Sequence, residues 1–297
     1  MPKEIKNISA SVKERLRNIS IQIGKEFQSI LCQYIQERFL FRLSRSNYSN
    51  NLILKGALLF IAHDISRSRP TKDIDFLGFS LTNEKDEIVE IIKDILRINY
   101  EDGLLFDDDN IDSENIVEDG NYHGVRIKFY AYFENSRQRV QLDIGFGDKI
   151  EGGPIEIDFP ALLDFPAPRL MVYSIESAIA EKYEAIVSLQ LETSRMKDFY
   201  DIVFFAEKYI FKKELLKKAI LTTFLNRSTD VALRNKIYEE SFRNDSQKQI
   251  QWSAFLERNK LLSENKFTVI VEKIKLFIEP IFLDDKLIWN PEKFLWE

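Results

Sequence analysis

Apolar residues recur at helical spacing between residues 10 and 45 (Ile21, Phe27, Ile30, Leu31, Tyr34, Ile35 and Phe39), so the chain opens on helices. Leu52–Leu54 reads as a short strand turning at Gly56 into a helix from Ala57 to about His63, and Ile74–Phe79 reads as a strand. Thr82 is placed to cap a helix running to about Ile98, with Glu84, Asp86 and Glu87 suited to its first turn. Strict alternation then marks Val125, Ile127, Phe129, Ala131 and Phe133 as one face of a strand. A turn at Asn135-Ser136 leads into a second, with Val140, Leu142, Ile144 and Phe146 on one face and Asp143 on the other. Ile155–Asp158 offers a further strand.

From Ser174 the period changes to that of helices: one capped by Ser174 and running to about Gln190, another from Met196 to Tyr209, and more to the end. The expected architecture is α+β: a mixed sheet with flanking helices in residues 1–168, then an all-helical domain in residues 169–297. The boundary falls near Phe165-Pro166-Ala167-Pro168.

Composition adds little to this picture until it is localised. The chain has 297 residues, 44% hydrophobic and 30% charged, with one cysteine, Cys32, and a polar start, MPKEIKNIS. These features fit a soluble protein of a reducing compartment, with cytoplasmic location expected and no membrane span. Cys32, on an apolar helix with no base nearby in the pattern, is expected to be a buried structural thiol. Residues 101–119 hold nine acidic residues and no lysine or arginine, so the net charge of −6 becomes +3 once they are set aside. A polyanionic partner is therefore compatible with the rest of the chain. The acidic stretch is expected to be a solvated loop. Its spacing imitates a calcium loop, but Ser113 stands where the turn glycine belongs. His63, His123 and Cys32 are too scattered for zinc.

Asp73-Ile74-Asp75 is the candidate centre. Two carboxylates at i and i+2 of a strand share one face, and their repulsion calls for a cation. With Asp143 on a neighbouring strand they form a set able to hold two divalent ions for phosphoryl or nucleotidyl transfer. The spacing fits an ordinary strand-edge acid pair equally well. Gly56, at a strand-to-helix turn, can let backbone N–H groups reach a phosphate, or can be a plain turn glycine. Lys182 falls inside the apolar stripe of Ile175, Ile179, Ile186 and Leu189, so it needs an anion, for which a triphosphate is a candidate. Asp198 and Asp201 lie one turn apart behind Arg195, and Asp198 is placed to orient Lys182 or a nucleotide. The aromatic residues read as core, with Tyr183 or Tyr200 available to flank a base.

Taken in order, Lys55-Gly56, Arg69-Pro70-Thr71-Lys72-Asp73-Ile74-Asp75-Phe76, Leu142-Asp143-Ile144, AEKYEAI and RMKDFYDI resemble the AbiEii-type nucleotidyltransferase toxins of bacterial abortive-infection and toxin–antitoxin systems. That family lies in the DNA polymerase beta-like superfamily. QWSAFL around Trp252 and the closing WNPEKFLWE are similar too, so the likeness spans nearly the whole chain. The resemblance implies a nucleotidyltransferase with Asp73, Asp75 and Asp143 as ligands of two Mg²⁺ ions, Mn²⁺ being an alternative. It implies Lys182 and Asp198 as catalytic residues, and Lys55, Gly56, Arg69, Lys182 and Arg195 around the nucleotide triphosphate, in a groove between the two domains. It also implies an RNA acceptor, the 3′ end of tRNA, and a cognate antitoxin. One departure stands out: the family reads Gly-Gly-Thr or Gly-Ser where this chain has Gly56-Ala57-Leu58, so an expected hydroxyl is missing. A same-fold transferase modifying a small molecule or protein, and a non-catalytic nucleotide- or RNA-binding protein, remain alternatives.

Overall fold

The computed structural model describes residues 7–62, 71–118, 122–261, 266–283 and 287–297. The chain packs as two compact units, residues 1–147 with 155–172, and residues 148–154 with 173–297. In the first unit, α1 (Ile8–Ile23) and α2 (Phe27–Arg45) precede β1 (Leu52–Lys55), α3 (Leu58–Ala62), β2 (Asp73–Gly78) and α4 (Lys85–Leu96). The strands β3 (Leu104–Phe106), β4 (Asp112–Glu118), β5 (Tyr122–Phe133), β6 (Ser136–Phe146), β7 (Ile155–Asp158) and β8 (Arg169–Val172) follow. They form an eight-stranded sheet in the order β3-β5-β6-β2-β1-β8-β7, with β4 also on β5. Parallel pairs (β2 with β6, β1 with β8) stand beside antiparallel ones, so the sheet is mixed.

The long β5–β6 hairpin turns at Glu134-Asn135, one residue before the expected position, with Glu134 left-handed at φ 50°. Its alternation buries Val125, Ile127, Phe129, Ala131, Val140, Leu142 and Ile144 on one face. Against that face lies α2, in which every residue from Tyr34 to Leu43 is buried. Phe39 packs on Phe76, Phe106 and Phe129 there, at ring separations of 6.3, 6.4 and 5.6 Å. A helix buried all round must also pair its charges. Arg42 grips Asp102 through two hydrogen bonds (2.7 and 3.2 Å), and Arg38 meets Glu37 at 2.9 Å.

Three local expectations are corrected. Ile21 is 73% exposed, because the core side of α1 runs through Val12, Leu16 and Ser20. The helix α4 starts at Lys85 rather than after Thr82, whose hydroxyl bonds the Glu87 carboxylate instead of a backbone amide. The acidic stretch is not a loop throughout: β3 and β4 lie within it, and Asp102 is wholly buried. Cross-strand neighbours account for this, since Glu114 pairs with Lys128 (2.6 Å) and Asp112 with Arg139 (3.2 Å), partners no local hydropathy pattern reveals.

The second unit is helical. Its α5 (Ile175–Leu189) is capped by the Ser174 side chain on the Ser177 amide, and α6 is Met196–Lys208. After β9 (Phe211–Lys212) come α7 (Lys213–Asn226), α8 (Glu240–Arg243), α9 (Ser246–Arg258), α10 (Phe267–Ile278) and α11 (Pro280–Leu283). The strands β10 (Ile288–Asn290) and β11 (Leu295–Trp296) close a small three-stranded sheet with β9, which the helical periodicity does not disclose. The indole N–H groups of Trp289 and Trp296 donate to the Ala206 and Phe277 carbonyls (2.7 and 2.8 Å), fixing the tail to the helices. Among the described residues no helix is long and apolar enough to cross a membrane.

Candidate active site

Sheet register builds the first cluster. Lys55 on β1 is opposite Asp75 on β2, Asp75 is beside Asp143 on β6, Asp143 is opposite Arg126 on β5, and Arg126 is opposite Glu114 on β4. Residues in register on neighbouring strands point to the same face, so the row reads plus, minus, minus, plus, minus. Asp73, two residues before Asp75, shares the face and stands beside Gln141. The opposite face of β2 and β6 is core: Ile74, Phe76, Leu142 and Ile144 are all wholly buried. Alternation with that core is what holds three carboxylates on one surface of the sheet.

Gly56 closes the row at β1. Its φ of 69° lies in the left-handed region, and a Cβ there would fall 1.9 Å from the Asp75 carboxylate. The glycine thus makes room for Asp75. Ala57 and Leu58, where the family hydroxyl is expected, are buried and belong to the core.

Asp143 is tightly engaged. Arg126 donates Nε to one carboxylate oxygen and Nη2 to the other, both at 2.8 Å, and the Gln141 amide lies 3.2 and 3.3 Å from the same two atoms. The hydrogen bonds to Asp143 push the Arg126 guanidinium above its ordinary pKa. The donor set of Asp73, Asp75 and Asp143 has the chemistry of a hard divalent cation site, all oxygen and all anionic. Among the described residues no three His, Cys, Asp or Glu side chains converge as a finished cage. The set fits the ion in kind, with its third carboxylate held by an arginine.

The second cluster lies in the helical unit. On α5, Lys182 donates to Asp198 at 3.0 Å and to Asp201 at 2.7 Å, both on α6, while Arg195 Nε reaches the other Asp198 oxygen at 2.5 Å. The two carboxylates are buried. For Asp198 burial is the largest single influence and opposes ionisation. The charges of Lys182, Arg195 and Lys197 together outweigh it and hold the carboxyl well below the usual range. The anion required by a lysine on an apolar stripe is therefore supplied within the protein. Beside this cluster Arg227 bonds Asp148 (3.1 Å) and Glu184 (3.0 Å), with Glu181 at 3.8 Å.

The sequence profile described as nucleotidyl transferase AbiEii toxin, type IV toxin–antitoxin system, matches residues 38–273. The chain belongs to the AbiEii family. It is a nucleotidyltransferase of that toxin family. No curated protein matches it. Two solved structures share its fold at low identity. Helicobacter pylori JHP933 is 14% identical with a TM-score of 0.51, covering 86% of this chain and 94% of the other. A candidate nucleotidyltransferase from H. pylori is 15% identical with a TM-score of 0.52, covering 86% and 98%.

Within this AbiEii-family chain, Asp73, Asp75, Asp143, Lys55 and Gly56 sit in the first cluster, and Lys182, Asp198 and Arg195 in the second. Arg69 and His63 lie outside the described residues. Tyr183 is not available to a base: it is fully buried, with its hydroxyl 2.7 Å from that of Tyr238. Tyr200 is half-buried against Phe204 and Phe255. Two participants escaped sequence reasoning, Arg126 and the pairing role of Asp201. The sequence did not signal Arg126: counting back from the expected turn at Asn135-Ser136 puts Lys128 opposite Asp143, and only the turn at Glu134-Asn135 brings Arg126 there.

Proposed function

We propose that this AbiEii-family protein moves a nucleoside monophosphate from a nucleotide triphosphate to a hydroxyl of RNA, the 3′ end of tRNA being the acceptor. The observation that carries this reading is the register of Asp75 beside Asp143 with Asp73 on the same face, three oxygen donors on one sheet surface. Asp73, Asp75 and Asp143 would hold two Mg²⁺ ions, with Mn²⁺ able to replace them. Such ions would neutralise the triphosphate and favour ionisation of the acceptor hydroxyl. The acceptor oxygen attacks the α-phosphorus in line, the bond to the bridging oxygen of the β-phosphate breaks, and pyrophosphate leaves.

The chain's own residues bind and orient. Lys55, Gly56, Arg69 and Arg195 serve the nucleotide, and Lys182 meets the triphosphate with Asp198 fixing its ammonium. The Lys182–Asp198 hydrogen bond supports that last assignment. In this reading the protein acts in the cytoplasm, and a cognate antitoxin restrains it.

Incubating the protein with each α-labelled nucleotide triphosphate, Mg²⁺ and total RNA tests the proposal. Label is expected on tRNA and is expected to be lost in Asp73→Ala. Transfer undiminished by that substitution, or none to any acceptor, would overturn the reading. Label on protein or on a small molecule would keep the chemistry and replace the acceptor.

A further inference from the structure

An ionised carboxylate offers about four lone-pair positions. At Asp143 four N–H···O contacts occupy them: two charged ones from Arg126 at 2.8 Å and two longer ones from the Gln141 amide. A cation that binds Asp143 must displace one of these donors, and it must do so beside a guanidinium that repels it. Arginine cannot lose its charge in a protein, so it yields the carboxylate only by moving.

A destination lies next to it. Arg126 Nη1 is 3.8 Å from the Glu114 carboxylate, in register on the neighbouring strand β4. The Glu114 side chain is 51% exposed and that of Arg126 31%, so the guanidinium has room to swing outward, whereas Asp143 at 10% is fixed in place. Lys128 already holds one Glu114 oxygen at 2.6 Å. That oxygen is also the one nearest Arg126, so on swinging outward the guanidinium would share a half-exposed carboxylate with Lys128.

We propose that Arg126 is a positioning residue that exchanges between Asp143 and Glu114, closing Asp143 to the divalent ion in one position and releasing it in the other. The inference rests on the reading of Asp143 as a metal ligand. The acidic strand β4 then has a part in the site, because Glu114 sets how readily Asp143 is released.

The test is Mn²⁺ binding to the full chain without nucleotide, followed through the electron paramagnetic resonance of free Mn²⁺, with thermal melting to show that each variant is folded. Arg126→Ala is expected to tighten Mn²⁺ binding by about tenfold, the scale on which residues supporting a metal ligand act. Glu114→Gln, on the exposed strand, is expected to weaken binding, because Arg126 then stays on Asp143. Asp143→Asn is expected to lose the Arg126-sensitive binding. Unchanged or weaker affinity in folded Arg126→Ala, with Asp143→Asn still lowering it, would overturn the exchange alone. Wild-type affinity in Asp143→Asn would overturn the assignment of Asp143 as a ligand, and the exchange with it. Should Arg126→Ala fail to fold, undiminished affinity in Glu114→Gln would overturn the exchange.

Discussion

A Cβ added to Gly56 would lie 1.9 Å from the Asp75 Oδ2 atom and 2.7 Å from the Asp75 Cβ. Because the clash reaches the Asp75 Cβ, swinging the carboxylate aside does not relieve it. Gly56→Ala must also adopt a left-handed backbone that costs about 1–3 kcal/mol for a residue with a side chain. The expected result is a loss of stability of that size in urea denaturation. Nucleotidyl transfer is expected to fall more steeply, because the residue displaced is Asp75. A variant with wild-type transfer would show that the position of Asp75 is not required.

Lys182 ties two buried carboxylates together. Lys182→Met removes a cation from Asp198 and Asp201 and is expected to cost about 3–5 kcal/mol, as when one member of a buried ion pair is deleted. Adding Asp201→Asn to that variant removes one of the two buried charges that Lys182 neutralises, so part of the stability should return while transfer does not. Recovery of both would reduce Lys182 to a structural role. The sign of the pH effect follows from Asp198. Its carboxyl is held low in the fold, so its stabilisation is full above the ordinary carboxylate pKa of about 4 and fades as pH falls through the lower folded value. The stability gap between Lys182→Met and the wild type should therefore narrow as pH falls below about 4.

Lys248 is 3% exposed and donates to the carbonyls of Leu191 (2.7 Å) and Thr193 (2.5 Å), in the turn that precedes Arg195. Lys248→Met would strand two carbonyls. At about 1–3 kcal/mol for each unsatisfied group, a loss of about 2–6 kcal/mol is expected in denaturant melts. A neutral result would mean that water reaches both carbonyls.

What could be read in the sequence follows from where its information lies. Period-2 alternation through residues 125–146 fixed both strands of the hairpin, and with them the face that carries Asp143. The Ser174 cap and the apolar stripe after it located α5 closely. Features that depend on partners distant in the chain were not legible. Glu114 and Asp112 look like part of a solvated run until Lys128 and Arg139 are brought alongside by strand pairing. Arg42 is buried on α2 against Asp102, a partner 60 residues further along the chain. The order of motifs identified the family, while Arg126, which appears in none of those motifs, had to be found through the hairpin register.

Glu37 offers a pH-dependent test of the α2 core. Its side chain is 1% exposed, accepts the Leu162 amide at 2.6 Å and meets Arg38 at 2.9 Å. Burial raises the carboxyl most strongly. The Arg38 charge and the amide oppose that effect without cancelling it, and the pKa is pushed up to about 7 from an ordinary 4.5. A carboxyl raised in the fold costs nothing while both states are protonated. Its cost grows as pH rises from 4.5 and is complete above 7, reaching about 3 kcal/mol. Glutamine keeps an acceptor for the Leu162 amide and carries no proton to lose. The stability of Glu37→Gln relative to wild type should therefore rise by about that amount between about pH 4.5 and about pH 7.5 in urea titrations. Parallel stability curves across this window would mean that Arg38 fully offsets the burial of Glu37.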